Sequence, residues 1–189
     1  MKRDQVYVLT YITSIDNLPS IVQHGILCHD AAQEHEHSSV ADADVQARRA
    51  NKMIDGERGL HDFANLYFWP RNGMMYRVRG NDICVLTVNK IVLDKPGVWY
   101  SNMNAAKDAA EFAACGGDFD LIDRDLLYAR TWHGDPDRMA YTQAEVLVPD
   151  SVSPDLINDI VVDTEAKKHR IEAMRLGKPV VLRPGWFFL

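Results

Sequence analysis

Short strand-like segments are frequent along this chain, and they restrict the fold class more than any other feature of the sequence. Runs of β-branched and aromatic residues separated by Gly, Pro, Asn and Asp are typical of strands joined by turns. Such runs occur at VYVLTYIT, NLYFWP, MMYRVR, DICVLTVN, GVWYS, TQAEVLV, LINDIVVDT and KPVVLRPGWFFL. Helical patterns occur at SIDNLPSIVQHGIL, SVADADVQARRANKM, NAAKDAAEFAA and TEAKKHRIEAMRLG. Because strands and helices do not alternate regularly, the sequence predicts a mixed α+β fold and not a doubly wound parallel sheet.

The length and the cysteine content favour one intracellular domain. No linker, repeat or low-complexity block divides the 189 residues, so we predict a single domain over 1–189. No apolar run approaches the roughly 20 residues of a membrane helix, and the N-terminus lacks a signal-peptide core. The cysteines are three and widely spaced (Cys28, Cys84 and Cys115), which argues against disulfides and structural zinc. We therefore expect a cytoplasmic monomer without membrane association.

The charge distribution points to an anionic ligand of limited size. A net charge of −6 argues against a protein that coats nucleic acid non-specifically. Residues 46–80 nevertheless carry seven basic side chains against three acidic ones. This basic zone on an acidic chain predicts a defined anion-binding site.

A glutamate interrupts one of the strand-like runs, TQAEVLV at 142–148. Side chains alternate between the two faces of a strand. Ala144, Val146 and Val148 would then face the core, while Glu145 and Leu147 would share the opposite, open face. Two interpretations remain: Glu145 is solvated on an antiparallel sheet, or a rigid strand holds its carboxylate in an active site.

The histidine-rich segment HDAAQEHEH at 29–37 is a candidate metal site. His35 and His37 could bind one ion from an extended segment, with Glu34 or Glu36 nearby. The segment lacks HExxH spacing and a companion cluster, so we prefer a solvated loop and expect no metal. The chain also lacks a glycine-rich phosphate loop and a GxSxG elbow, which excludes a Rossmann-type dinucleotide site and a serine hydrolase of that type.

The order of several segments resembles the DarT-type ADP-ribosyltransferase toxins. LTYITSIDNLPSIVQHGIL is similar to the family's opening H-I-T-H-I-D-N-L strand and helix, and VQARRANKMI to its arginine-bearing helix. GLHDFANLYFWPRNGMMY resembles its block L-H-D-Y-V-P-F-Y-F-x-P-R-S-P-M-L-Y, and YSNMNAA its F-T-D-G-N-A-A region. QAEVLV resembles the Q-A-E strand, and RPGWFF the aromatic C-terminal strand. The resemblance covers nearly the whole chain.

This resemblance implies a fold, an activity and partners. The fold is the ADP-ribosyltransferase fold, a split, strand-rich α+β core with flanking helices around an NAD cleft. The activity is transfer of ADP-ribose from NAD, as co-substrate, onto a base of single-stranded DNA. The biological role is that of the toxin in a toxin–antitoxin or phage-defence system, opposed by a macrodomain antitoxin that removes the mark.

The resemblance also assigns site residues by position. Glu145 matches the catalytic glutamate, and Arg49 matches the essential arginine, which also binds NAD. Further NAD contacts fall on Tyr11, Ile12, Thr13, Ser20 and Cys28. Tyr11 stands where the family most often has a histidine, and Ser14 replaces the second histidine, so the target base and the choice of DNA over RNA stay open.

Other acceptors and a non-catalytic role remain as alternatives. The same NAD-cleaving site could act on RNA, a protein side chain or water, or the chain could bind NAD or nucleic acid without turnover. The loop HGDPDRMAYT precedes Gln143 and is placed to contact an acceptor. Arg130, Trp132 and Arg138 are candidate contacts there, with ordinary surface positions as the alternative.

Overall fold

A computed structural model describes residues 1–40, 42–54, 56–132 and 134–188. The strands are β1 Leu9–Ser14, β2 Ile26–Leu27, β3 Phe63–Tyr67, β4 Ile83–Val88, β5 Trp99–Ser101, β6 Phe112–Ala114, β7 Glu145–Pro149, β8 Ser151–Val152, β9 Ile157–Val162 and β10 Val180–Leu182. The α-helices are α1 Leu18–His24, α2 His29–Ala32, α3 Ala43–Arg49, α4 Gly73–Arg77, α5 Arg124–Leu127, α6 Pro136–Tyr141 and α7 Glu165–Ala173. Within these ranges no helix has the length and apolar character required to cross a bilayer.

Eight of the strands form one mixed sheet in the order β10-β9-β4-β1-β3-β7-β5-β6, and β2 pairs with β8 separately. β9 and β10 run parallel, whereas β4, β1, β3, β7, β5 and β6 pair with their neighbours in antiparallel fashion. Because β3 and β7 are antiparallel, the last residue of β3 lies opposite the first residue of β7, Tyr67 against Glu145. The strand-rich α+β prediction is confirmed.

The centre of the sheet is buried on both faces. In β4, Cys84, Leu86 and Val88 pack into the main core, while Ile83 and Val85 pack into a second cluster on the other face. All six residues of β4 are buried. The alternation of a half-exposed antiparallel sheet therefore does not apply to the central strands.

The face assignment for β7 was half right. Ala144, Val146 and Val148 lie in the main core as expected. The opposite face is not open to solvent: Leu147 is 0% exposed within a third apolar cluster, and Glu145 is 1% exposed. Alternation sorts side chains onto faces, but it does not reveal what covers each face.

Two predicted elements have a different structure. The run MMYRVR, predicted as a strand, lies mostly in helix α4, which begins after Asn72 because the Asn72 side chain accepts a hydrogen bond from the N–H of Met75 at 3.0 Å. The segment NAAKDAAEFAA, predicted as a helix, forms turns and then strand β6. Tertiary hydrogen bonds and edge pairing with β5 override its helix propensity.

The C-terminal strand is shorter than the pattern KPVVLRPGWFFL predicts. β10 ends at Leu182, and a 3₁₀ turn at Pro184–Trp186 follows. Proline fixes its own φ and has no N–H to donate to a ladder, so the strand cannot continue through Pro184. Phe187 then packs in the second cluster, which holds this segment against the sheet near α4.

Candidate active site

A cavity of about 650 Å³ lies beside the ends of β1, β3 and β7. Its wall includes Tyr11–Thr13 of β1, Arg49 at the end of α3, Tyr67 at the end of β3 and Glu145 at the start of β7. Residues of α4 and α6 also line the wall. This volume lies within the range of small-molecule and cofactor sites.

Positive charge is concentrated around this cavity. Arg48, Arg49, Arg77 and Arg79, all from the basic zone at 46–80, line its wall. Arginine presents a planar set of donors that matches phosphate and carboxylate oxygens. The cavity is therefore suited to a ligand with anionic groups.

Glu145 is the most enclosed charged group of the cavity wall. Nη1 of Arg49 donates to both of its carboxylate oxygens, at 3.1 Å and 2.9 Å. The backbone N–H of Ala105 donates to Oε1 at 3.0 Å. The pair is separated by 96 residues in the sequence, and both side chains are almost fully buried, at 7% and 1% exposure. The fold thus brings the two predicted catalytic residues into direct contact.

Helix α3 positions Arg49 through its N-terminal cap. The Asp42 side chain accepts a hydrogen bond from the N–H of Val45 at 3.0 Å and also pairs with Arg77 of α4. The hydrogen bond from the N–H of Val45, and secondarily the charge of Arg77, hold the pKa of Asp42 below its usual value. The cap thus ties α3 to α4, and Arg49 at the end of α3 contacts Glu145 of β7.

The turn after β5 supports Glu145 and was not found by sequence reasoning. The backbone N–H of Glu145 donates to Oγ of Ser101 at 3.2 Å, and Ser101 donates to the carbonyl of Met103 at 2.7 Å. Ala105, four residues after Ser101, supplies its N–H to the carboxylate. Part of this turn falls in the segment predicted as a helix, and a backbone donor leaves no signal in side-chain identity.

Two tyrosines of the cavity wall, Tyr67 and Tyr11, stay protonated. Burial, and secondarily the charge of Glu145, raise the pKa of Tyr67 well above its usual value. Burial, and secondarily Cys84, raise the pKa of Tyr11. Neutral phenols are hydrogen-bond donors as well as acceptors. Both rings line the cavity, so they can donate to a ligand at physiological pH.

The predicted NAD contacts divide into two groups. Tyr11, Ile12 and Thr13 line the cavity together with Arg49 and Glu145. Ser20 lies half-buried in α1, and Cys28 is buried where it precedes α2; neither is part of the cavity wall. The structure thus brings five of the predicted site residues together and leaves Ser20 and Cys28 outside.

The predicted acceptor contacts lie beyond the cavity wall. Arg130 and Arg138 are exposed, and the ring of Trp132 packs against Tyr76, with the centroids 5.7 Å apart. Tyr76 itself lines the cavity. His133, in the loop that precedes α6, lies outside the described residues.

In the histidine-rich segment, His35 and His37 make other contacts than the candidate metal site would require. His35 stacks on His24 with the ring centroids 4.6 Å apart, and Nδ1 of His37 bonds to the carbonyl of His35. Among the residues that the structure describes, the side chains close enough to hold a metal ion are instead those of His29, Asp30 and His61. Their ligand atoms lie within 4.8 Å of one another. Burial, and then His29, lower the pKa of His61.

Comparison with known proteins identifies the family. A family model described as ssDNA thymidine ADP-ribosyltransferase, DarT, matches residues 10–188. A fusion protein of Thermosipho africanus, a DNA ADP-ribosyl transferase joined to a DNA ADP-ribosyl glycohydrolase, is 31% identical over 194 residues. That match covers 96% of this chain and 49% of the relative, so the chain spans about half the length of that relative.

Solved structures agree with the fold. The DarT of Thermus sp. 2.9 in complex with ADP-ribosylated ssDNA has a TM-score of 0.84 at 24% identity, covering 100% of both chains. The same DarT in complex with NAD+ has a TM-score of 0.78 at 22% identity, covering 97% of this chain and 98% of that one. The ADP-ribosyltransferase fold expected from the sequence is confirmed, and this chain belongs to the DarT family of ssDNA thymidine ADP-ribosyltransferases.

Proposed function

We propose that this protein transfers a single ADP-ribose from NAD onto the thymidine base of single-stranded DNA. The observation that carries the proposal is the buried Arg49–Glu145 pair in the wall of a cavity lined by arginines. A carboxylate fixed beside a site for an anionic ligand is what cleavage of the nicotinamide–ribose bond requires.

Glu145 acts in the bond-breaking step. Cleavage of the nicotinamide–ribose bond lets nicotinamide leave with the bonding electron pair and builds positive charge on the ribose, as in glycoside hydrolysis. A carboxylate held in place before the reaction stabilises that charge without reorganisation. Arg49 and the Ala105 N–H hold the Glu145 oxygens in this way.

Glu145 also acts on the acceptor. Thymine has one ring N–H in a nucleoside, and the nitrogen must lose this proton as its electron pair forms the bond to the ribose carbon. Glu145 is the general base that takes the proton. A single strand presents the base without the unpairing cost of a duplex, which favours single-stranded DNA as the acceptor.

Arg49 and β1 bind NAD in this proposal. The guanidinium group of Arg49 has several N–H donors. Arg49 can therefore pair with phosphate oxygens of NAD as well as with Glu145. Tyr11, Ile12 and Thr13, which line the cavity, contact NAD. Ser20 and Cys28 belong to the same proposal as more distant contacts that require movement of α1 or α2.

Mass spectrometry of oligonucleotides tests the reaction. The protein is incubated with NAD and, in parallel, with single-stranded DNA containing thymidine, the same DNA without thymidine, and RNA. We expect one added ADP-ribose on the thymidine-containing DNA alone. Modified RNA, modified thymidine-free DNA or free ADP-ribose as the sole product would each contradict the proposed acceptor.

A toxin role and its cellular setting follow as part of the same proposal. The fusion of transferase to glycohydrolase in the Thermosipho africanus relative supports a macrodomain antitoxin as partner. The free thiols of Cys28, Cys84 and Cys115 support a cytoplasmic location. We further propose a monomer with one domain over 1–189. Expression should stop growth of a bacterial host, and co-expression of an ADP-ribosyl glycohydrolase macrodomain should restore it, whereas Glu145→Gln should be harmless by itself.

A further inference from the structure

Seven partly exposed aromatic side chains form two groups of ring contacts that are joined by the C-terminal segment, and we name the two groups together the aromatic strip. Its members, in order of contact, are Tyr7, Tyr128, Trp69, Trp186, Phe188, Trp132 and Tyr76. Ring centroids of neighbouring members lie 5.0 to 5.9 Å apart, except that Trp186 and Phe188 are joined through the chain around Phe187. Each contact is tilted or edge-on, so the rings do not cover one another as parallel stacks would.

The strip is accessible to solvent along its length. Tyr7 is 62% exposed and Tyr76 is 41% exposed, at the two ends, and the five rings between them are half-buried. Aromatic residues of the core behave differently, since Phe68 and Phe119 are fully buried. A large set of accessible aromatic rings is unusual on a protein surface and marks an interaction surface.

Arginines cover several of these rings. The guanidinium carbons of Arg79 and Arg71 lie 3.9 Å from the ring centroids of Tyr76 and Phe188. Arg183 lies 5.2 Å from the ring of Trp186. Arg124 lies 5.8 Å from the ring of Tyr128 and is partly neutralised by Asp125 at 3.7 Å. The strip therefore carries positive charge on a chain whose net charge is −6.

One end of the strip meets the cavity. Tyr76 and Arg79 belong to the cavity wall that contains Glu145. The opposite end, at Tyr7 and Tyr128, lies outside that wall. A polymer whose reacting unit enters the cavity could therefore continue along the strip.

We infer that the aromatic strip binds the nucleotides of a single strand that flank the thymidine in the cavity. Unpaired bases stack on aromatic rings whatever their sequence, and arginines beside the rings pair with the phosphates. The combination of stacking surface and positive charge fits single-stranded nucleic acid and not an apolar protein partner. The inference rests on the proposed transfer to DNA. It identifies the surface that binds the nucleotides on either side of the reacting thymidine.

Direct binding without NAD tests the strip. The affinity for an end-labelled, single-stranded oligonucleotide of about 16 nucleotides is measured by fluorescence anisotropy over a range of salt. Tyr7→Ala and Trp186→Ala should each weaken binding about fivefold or more, since a stacked base contributes roughly that factor. Their salt dependence should stay as in the wild type, because no charge is removed.

Arg183→Gln, in contrast, should change the salt dependence of binding. Removal of one phosphate contact lowers the slope of log affinity against log salt by about 0.7 for a single strand. The matched controls are Ile91→Ala, which removes a 56% exposed apolar side chain elsewhere, and Lys95→Gln, which removes an exposed charge elsewhere. Both controls should bind as the wild type does.

Folding and length controls complete the design. Trp186→Phe keeps a ring and should restore most of the affinity that Trp186→Ala loses. A variant that is merely misfolded would not bind the oligonucleotide at all. The loss in Tyr7→Ala should be larger for about 16 nucleotides than for about 4, because a short strand does not reach the far end.

The outcomes separate this inference from the proposed function. Strip variants that bind single strands within about twofold of the wild type would overturn the inference even if the wild type modifies DNA. Variants that lose binding to duplex DNA as strongly as to single strands would overturn it too. If the variants show these binding losses but the wild type modifies no DNA, the proposed reaction is refuted and the binding role of the aromatic strip is retained.

Discussion

Replacing either member of the Arg49–Glu145 pair should abolish transfer and also destabilise the fold. The side chains are 7% and 1% exposed, and the closest contact is 2.9 Å. Removing one partner of a buried ion pair leaves the other as an uncompensated charge, which typically costs about 3–5 kcal/mol. An open-face Glu145 could be truncated without structural cost, but the observed Glu145 could not.

The magnitude follows from the position of the pair. Because both residues border a cavity that water can enter, we take the low end, about 3 kcal/mol, for Arg49→Ala and for Glu145→Ala. The double variant removes both charges and should lose only about 4 kcal/mol, which gives a coupling energy of about 2 kcal/mol. For a domain of this size, 3 kcal/mol corresponds to a decrease in melting temperature of about 6–12 °C.

Urea unfolding of the wild type, both single variants and the double variant measures this cycle. The matched control is the exposed pair Arg3–Asp94, whose side chains are 32% and 64% exposed. Arg3→Ala should cost less than about 1 kcal/mol. Glu145→Gln should be inactive yet more stable than Glu145→Ala, because an amide oxygen can still accept from the N–H of Ala105.

Additive losses in the cycle would refute the reasoning, because they would mean that the two residues do not stabilise each other. Single variants as stable as the wild type would do so as well, since the carboxylate would then be solvated as the strand pattern first suggested. Full transfer activity in Arg49→Ala would show that the essential arginine lies elsewhere.

Three further predictions concern the surroundings of the pair. Arg48→Ala should lower transfer less than Arg49→Ala, because Arg48 is exposed and does not contact Glu145; equal losses in initial rate would contradict the assignment. Ser101→Ala removes the acceptor for the Glu145 N–H and should lower kcat about tenfold with little change in KM for NAD. Ser101→Thr should restore part of that kcat, and a change in KM alone would argue against a positioning role. Burial first, and then His29, lower the pKa of His61 below its usual 6.5. As the pH falls, the unfolded chain therefore takes up this proton at a higher pH than the folded protein does. The melting temperature should therefore fall as pH drops below 6.5, less so in His61→Gln, and identical pH profiles of the two proteins would exclude His61 as the cause.

Local patterns were reliable where the local chain alone decides the structure. The helical pattern at SIDNLPSIVQHGIL contains α1, which ends before Gly25 with φ of 89°, because glycine adopts this conformation without strain. The segments MMYRVR and NAAKDAAEFAA failed for the reverse reason. An N-terminal cap from Asn72 made the first a helix, and contacts with β5 and Glu145 drew the second into turns and a strand.

The sequence by itself determined the fold class and the family, and it selected Arg49 and Glu145 as the candidate catalytic residues. These depend on side-chain identity and on the order of short segments, which are properties of the chain before it folds. Only the tertiary structure decided that Glu145 is buried, because alternation along β7 states which side chains share a face and not what covers it. Only the tertiary structure could bring Arg49 across 96 residues to that carboxylate and add the N–H of Ala105, since neither contact leaves a local signal.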